Sequence, residues 1–210
     1  MLKVEFGDKK NYRVTTEDGT LDIPAEEVVA DRCLECIANF PVVSDHLLGE
    51  KTKRDVLKPF QSVEKTESLP AKGKRDYWED QLRKCVRCYA CRSVCPMCYC
   101  DECVADTISF AVTPETTAEE KAQRIKWLER SPDDSENTFY HLVRALHLAG
   151  RCVDCGECER ACPVNIPLRM LNKKMEKEAK DLFGYDVGFD ADKPALISCY
   201  LDGDPGDFIR

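Results

Sequence analysis

Apolar and polar positions alternate at the start of the chain. Val4 and Phe6 flank Glu5, Tyr12-Arg13-Val14-Thr15-Thr16 is β-prone, and Leu21-Asp22-Ile23 follows the turn pair Asp18-Gly19. Residues 1–32 are therefore expected to form a small β cap, either a hairpin or three short strands. Farther on, the period lengthens. Phe139, Leu142, Val143 and Leu146 recur at i, i+3, i+4 and i+7, the apolar stripe of an amphipathic helix, and Gly150 is placed to close it. Leu168, Leu171, Met175, Ala179 and Leu182 repeat the pattern over residues 167–183, ahead of Gly184. Residues 114–130 are rich in Ala, Glu, Lys and Arg and predict a helix that Ser131-Pro132 ends. The expected fold class is mainly α with a small N-terminal β cap and extended connectors.

Two stretches lack such a period. Residues 33–76 hold Cys33-Leu34-Glu35-Cys36 and a polar, Lys-rich run ending in Pro70-Ala71-Lys72-Gly73-Lys74, expected as an extended connector. From Tyr185 the chain is acidic and punctuated by Pro and Gly, expected as a tail along a partner or the parent domain. The organisation expected is a cap at 1–32, a connector at 33–76, a helical domain at 77–184 and a tail at 185–210.

Charge narrows the partners. A formal net charge of −8 argues against non-specific binding to nucleic acid or anionic membrane, because both need basic patches. No apolar run approaches the roughly 18 residues of a membrane span. Met1-Leu2-Lys3-Val4-Glu5-Phe6 lacks the apolar core of a signal peptide, so a cytoplasmic location is expected. Among 210 residues there are 14 cysteines, clustered rather than spread, and cysteine clusters in that compartment usually bind metal.

Two motifs dominate: Cys85-x-x-Cys88-x-x-Cys91-x-x-x-Cys95-Pro96 and Cys152-x-x-Cys155-x-x-Cys158-x-x-x-Cys162-Pro163. Each matches the run that holds a cubane [4Fe–4S] cluster in bacterial ferredoxins. Three thiolates at that spacing wrap one cubane, and the loop turns backbone N–H groups toward its sulfides. In two-cluster proteins the fourth cysteine ligates the other cluster. One cluster is thus assigned to Cys85, Cys88, Cys91 and Cys162, and the other to Cys152, Cys155, Cys158 and Cys95. The full ligand complement favours four-iron clusters over [3Fe–4S], and two zinc sites are the weaker alternative.

Fifty-six residues separate Cys95 from Cys152, and helical segments flank the motifs. Residues 77–184 resemble the α-helical ferredoxin domain of the iron–sulfur subunits of succinate dehydrogenase and fumarate reductase, and of the small subunit of heterodisulfide reductase. The resemblance rests on Cys-Val-Arg-Cys-Tyr-Ala-Cys-Arg-Ser-Val-Cys-Pro and Cys-Val-Asp-Cys-Gly-Glu-Cys-Glu-Arg-Ala-Cys-Pro. Two further pairs, Cys33/Cys36 and Cys100/Cys103, have the spacing to close one four-thiolate site for zinc or a third [4Fe–4S] cluster, with Cys98 a competing ligand. The whole pattern is similar to electron-transfer subunits of anaerobic oxidoreductases. These include the ferredoxin-like subunit of class II benzoyl-CoA reductase and iron–sulfur subunits of formate dehydrogenase and heterodisulfide reductase modules. That resemblance implies more than two clusters and favours the third cluster. Cys199 is expected to be unligated.

His46, His141 and His147 share no metal face. No dinucleotide fingerprint, phosphate loop or catalytic triad stands out, and no catalytic residue is assigned. Substrate chemistry is expected on a partner subunit bearing a pterin, flavin or nickel, with a further electron carrier completing the path. A free-standing ferredoxin and a protein whose clusters or zinc only staple the fold are the alternatives.

Overall fold

The computed structural model describes residues 3–6, 11–38, 41–49, 59–100, 103, 105, 115–123, 128, 132–199 and 203. The chain divides into two units, Met1–Gln61 and Ser62–Arg210.

In the first unit, strands β1 (Lys3–Phe6), β2 (Asn11–Thr16) and β3 (Gly19–Pro24) form an antiparallel sheet in sequence order. The register sets Val4 opposite Val14 and Val14 opposite Leu21, while Arg13 lies between Glu5 and Asp22. The period of two thus separates an apolar row from a charged one, and Arg13 pairs with Asp22 at 2.8 Å. Short helices α1 (Ala25–Val28) and α2 (Asp31–Leu34) follow, the second carrying Cys33.

Helices α3 (Gln61–Glu67) and α4 (Ala71–Leu82) occupy the end of the stretch whose polar composition predicted an extended connector. The charges there sit at helical spacing: Lys72 pairs with Asp76, Arg75 with Glu79 and Lys84 with Asp80. The Lys-rich run is one solvated helix face. Glu67 ties α3 down by bridging Lys74 and Lys174.

Of the helix expected over 114–130, the described part is α6 (Ala118–Gln123); residues 124–127 and 129–131 lie outside the described residues. It starts with a capping box, in which the Glu120 N–H donates to Thr117 Oγ1 and the Thr117 N–H to Glu120 Oε2.

Helix α7 (Asp134–Leu148) is capped by Asp133, whose carboxylate accepts the Glu136 N–H at 2.9 Å. Helix α9 (Leu168–Phe183) ends at Gly184 in the left-handed conformation. Both helices were expected, yet α7 faces the opposite way from its apolar stripe. Phe139, Leu142 and Leu146 are 43%, 43% and 62% exposed, whereas Asn137, His141 and Arg144 are buried. Leu182, at the end of the α9 stripe, is also exposed, while Leu168, Leu171 and Ala179 are buried.

The core gathers Leu82, Cys91, Cys158, Ile166 and Leu168, with Trp78, Cys85 and Cys162 packed against it. From the C-terminal stretch, Leu196 lies so close that a Cβ on Gly150 would meet its Cδ1 at 3.0 Å. Gly150 also has φ +71°, so both space and backbone require glycine there. Among the described residues, no helix is long and apolar enough to cross a membrane.

Candidate metal centre

The two cysteine motifs share one local construction. Helix α4 delivers Cys85 and α7 delivers Cys152. Each loop then bends through two left-handed residues, Arg87 (φ +53°) and Tyr89 (+60°) in the first, Asp154 (+53°) and Gly156 (+75°) in the second. Such bends turn successive N–H groups to one side, a concavity suited to an anion. One-turn helices α5 (Ala90–Ser93) and α8 (Glu157–Arg160) follow and pack on each other, ahead of Cys95-Pro96 and Cys162-Pro163.

The fourth cysteine of each motif meets the other motif. Cys95 lines one cavity with Cys152, Cys155 and Cys158. Cys162 packs in the core beside Cys85 and Cys91, close enough that its charge adds to burial in raising the thiol pKa of both. Backbone N–H groups reach the sulfurs: Arg87 donates to Cys85 Sγ and Ile166 to Cys162 Sγ, each at 3.4 Å.

Burial pushes the thiols of Cys85 and Cys91 up, Cys152 to about 12 and Cys158 to about 11. In such surroundings a thiol keeps its proton until a cation replaces it, so metal loading releases protons. Buried sulfurs that accept N–H donors and lie beside cations fit an anionic iron–sulfur cluster. Among the described residues, no three His, Cys, Asp or Glu side chains converge closely enough for a single metal ion. A cubane instead takes a separate cysteine at each iron corner.

The electrostatics of the two loops differ. Beside the first, Arg144 donates from Nη1 to Cys91 Sγ at 3.1 Å, and from Nη2 to Cys91 O at 3.3 Å and Cys98 Sγ at 3.7 Å. Arg87 donates to Asn137 Oδ1 and Glu136 O, each at 2.8 Å, and stacks over Tyr140. Asn137 passes a hydrogen bond on to Cys85 O at 2.9 Å. Beside the second loop, Arg169 grips Asp154 with two hydrogen bonds of 2.7 and 2.8 Å, and Lys173 bridges Asp154 and Glu176. Cys158 Sγ accepts a neutral donor, Asn172 Nδ2, at 3.7 Å.

The other cysteines are dispersed. Cys98 is half-buried; a hydrogen bond with Cys95 and the Arg144 guanidinium hold its thiol below the usual range. Cys103 packs against Ala105, Leu128 and Tyr140, and Cys100 is exposed. Cys33 is exposed and Cys36 half-buried, both in the first unit, whereas Cys100 and Cys103 belong to the second. Cys199 is exposed. His141 is buried with Nε2 unpartnered, and His46 is exposed.

Arg144, Asn172 and the Asp154–Arg169–Lys173 group escaped the sequence reading. Arg144 is 53 residues from Cys91. The available signal was the polar face Asn137, His141, Arg144 opposite the apolar stripe of α7.

Residues 81–166 match the model of the 4Fe-4S dicluster domain. This segment belongs to that family. It is a ferredoxin-like, iron–sulfur electron-transfer domain built mainly from helices. Beyond it, the chain is similar to the F420-dependent formate dehydrogenase subunit beta of Methanocaldococcus jannaschii, at 30% identity over 141 residues, covering 67% of this chain and 32% of the relative. It is also similar to the F420-dependent formate dehydrogenase 1 subunit beta of Methanococcus maripaludis, at 34% identity over 164 residues, covering 70% and 37%. The chain spans about a third of the length of these relatives.

Proposed function

We propose that this chain relays single electrons within a larger cytoplasmic oxidoreductase, between a catalytic subunit and a second redox partner. One [4Fe–4S] cluster is held by Cys85, Cys88, Cys91 and Cys162, and the other by Cys152, Cys155, Cys158 and Cys95. The observation that carries this reading is a dicluster domain over residues 81–166 with all eight motif cysteines present. When bound, each cluster accepts and releases one electron. The chain's own residues anchor each by thiolate, soften the charge of the first through the Arg87 and Ile166 N–H groups, and exclude water with Leu82, Ile166 and Leu168.

The likeness to formate dehydrogenase beta subunits favours formate oxidation as the reaction served and F420 as the second partner. The catalytic subunit would carry a pterin, flavin or nickel. Cys33, Cys36, Cys100 and Cys103 are proposed, on sequence spacing alone, as ligands of further metal, a third [4Fe–4S] cluster or zinc, with Cys98 the competing thiol.

The test is iron, acid-labile sulfide and zinc per chain on native protein purified without oxygen, with the mass of the intact assembly. About eight iron supports the two-cluster core; about twelve adds the third cluster, and eight with one zinc gives the alternative. Formate should bleach the cluster absorbance of the assembly, and F420 should restore it. A monomer with full clusters and no associated subunit would overturn the relay reading.

A further inference from the structure

The two loops present unequal charge to whatever they bind. Between its first and last cysteine, the first loop carries Arg87 and Arg92 and no acid; the second carries Asp154, Glu157 and Glu159 against Arg160 alone. The buried surroundings continue the contrast. Arg144 is 5% exposed, lies on Cys91 Sγ, and among the described residues pairs with no carboxylate. Near the second loop, the cations Arg169 and Lys173 are matched by the carboxylates Asp154 and Glu176. Buried charges are weakly screened, and both net charge and hydrogen bonds to sulfur set a cluster's potential.

We propose that Arg144 is a potential-setting residue, whose buried guanidinium on Cys91 Sγ raises the reduction potential of the first-loop cluster above that of the second. This rests on the ligand assignment given above. An extra electron on the first-loop cluster sits beside a cation that pairs with no carboxylate among the described residues; on the second it sits beside a compensated pair. Electrons entering at the second-loop cluster therefore run downhill to the first. Arg144 also acts on Cys158 and Cys95, so both potentials feel it, but its direct hydrogen bond to a ligand sulfur is to Cys91 of the first cluster.

The test is an EPR-monitored redox titration of the cluster-loaded, full-length chain, with iron counted on every sample. Each midpoint is assigned to a loop by the signal missing from Cys162→Ala or Cys95→Ala. Arg144→Gln should lower the first-loop midpoint by at least a tenfold change in the oxidised-to-reduced ratio, about 59 mV for one electron, and the second by less. Arg144→Lys, which keeps the charge, should recover most of that shift. Asp154→Asn takes the carboxylate from Arg169, while Lys173 keeps Glu176, and should raise the second-loop midpoint; asparagine tolerates the left-handed backbone there.

Full iron in Arg144→Gln with the first-loop midpoint unmoved overturns the proposal. If that variant fails to load iron, an unmoved second-loop midpoint in Asp154→Asn overturns it equally. A wild-type chain with fewer than two clusters overturns the ligand assignment, and this inference with it. Two clusters with unmoved midpoints overturn this inference alone.

Discussion

Residues 85–96 and 152–163 follow one backbone course. Arg87 and Asp154 share φ +53°, Tyr89 and Gly156 are both left-handed, and each loop ends in one helical turn before Cys-Pro. The side chains then diverge. Left-handed Tyr89 carries a backbone cost of order 1–3 kcal/mol and is held edge-on against Tyr140 at 5.6 Å; Gly156 needs no such support. Arg87 stacks on Tyr140, while Asp154, its counterpart, is clamped by Arg169 and Lys173. Cysteine spacing shapes the backbone that holds a cluster. The charged side chains of the loops, together with those of the neighbouring helices, supply the field that distinguishes the two.

The sharpest break in this comparison is at the fourth cysteines. Cys162→Ala should abolish the cluster of the first loop although it lies in the second, and Cys95→Ala the reverse. Each costs about four iron per chain, read by iron analysis and by which EPR signal survives. Loss of the cluster belonging to the variant's own loop would refute the exchanged ligation.

Next is Gly150, two residues before Cys152, with φ +71° where Arg83, two before Cys85, is right-handed at −61°. Gly150→Ala meets both the strain and Leu196. It should destabilise by about 1–3 kcal/mol, a fall in Tm of several degrees, while Arg83→Ala leaves Tm nearly unchanged.

A smaller effect reports the positive field of the first loop. Burial, aided by Arg144 and Arg87, lowers the His141 pKa from 6.5 to about 3. A depressed folded pKa gives stability that is complete above the unfolded value near 6.5 and is lost as pH falls toward 3. His141→Leu should therefore flatten the loss of stability between pH 7 and pH 5, measured by denaturant unfolding of the loaded protein. Equal slopes would show that His141 does not titrate against the fold.

Smallest is Asn172→Ala, which removes a neutral donor from Cys158. The second-loop midpoint should fall by less than the 59 mV or so expected at Arg144.

Most of this architecture was legible in the residues. The three strands followed from period-two alternation and α9 from its stripe and Gly184. The dicluster domain over residues 81–166 was legible in its two cysteine motifs, whose spacing matches the run that holds a cubane. Two parts were not legible. Residues 61–76, the end of the stretch expected as a connector, are helical instead, because their charged positions hide helical pairing behind low hydrophobicity. Helix α7 was located, but its buried side was misread. A cysteine loop with open carbonyls and thiols needs donors, so Asn137 and Arg144 turn inward beside Tyr140, Ala145 and Leu148, while Phe139, Leu142 and Leu146 turn out. Pattern rules assume an apolar core; here polar donors share the buried face with apolar side chains.

The most direct measurement is the redox titration of the wild-type chain, loaded and kept without oxygen. Two one-electron midpoints at least about 59 mV apart, the higher belonging to the cluster lost in Cys162→Ala, are the expected result. Coincident midpoints, or the higher one belonging to the cluster lost in Cys95→Ala, would contradict the unequal charging of the two loops.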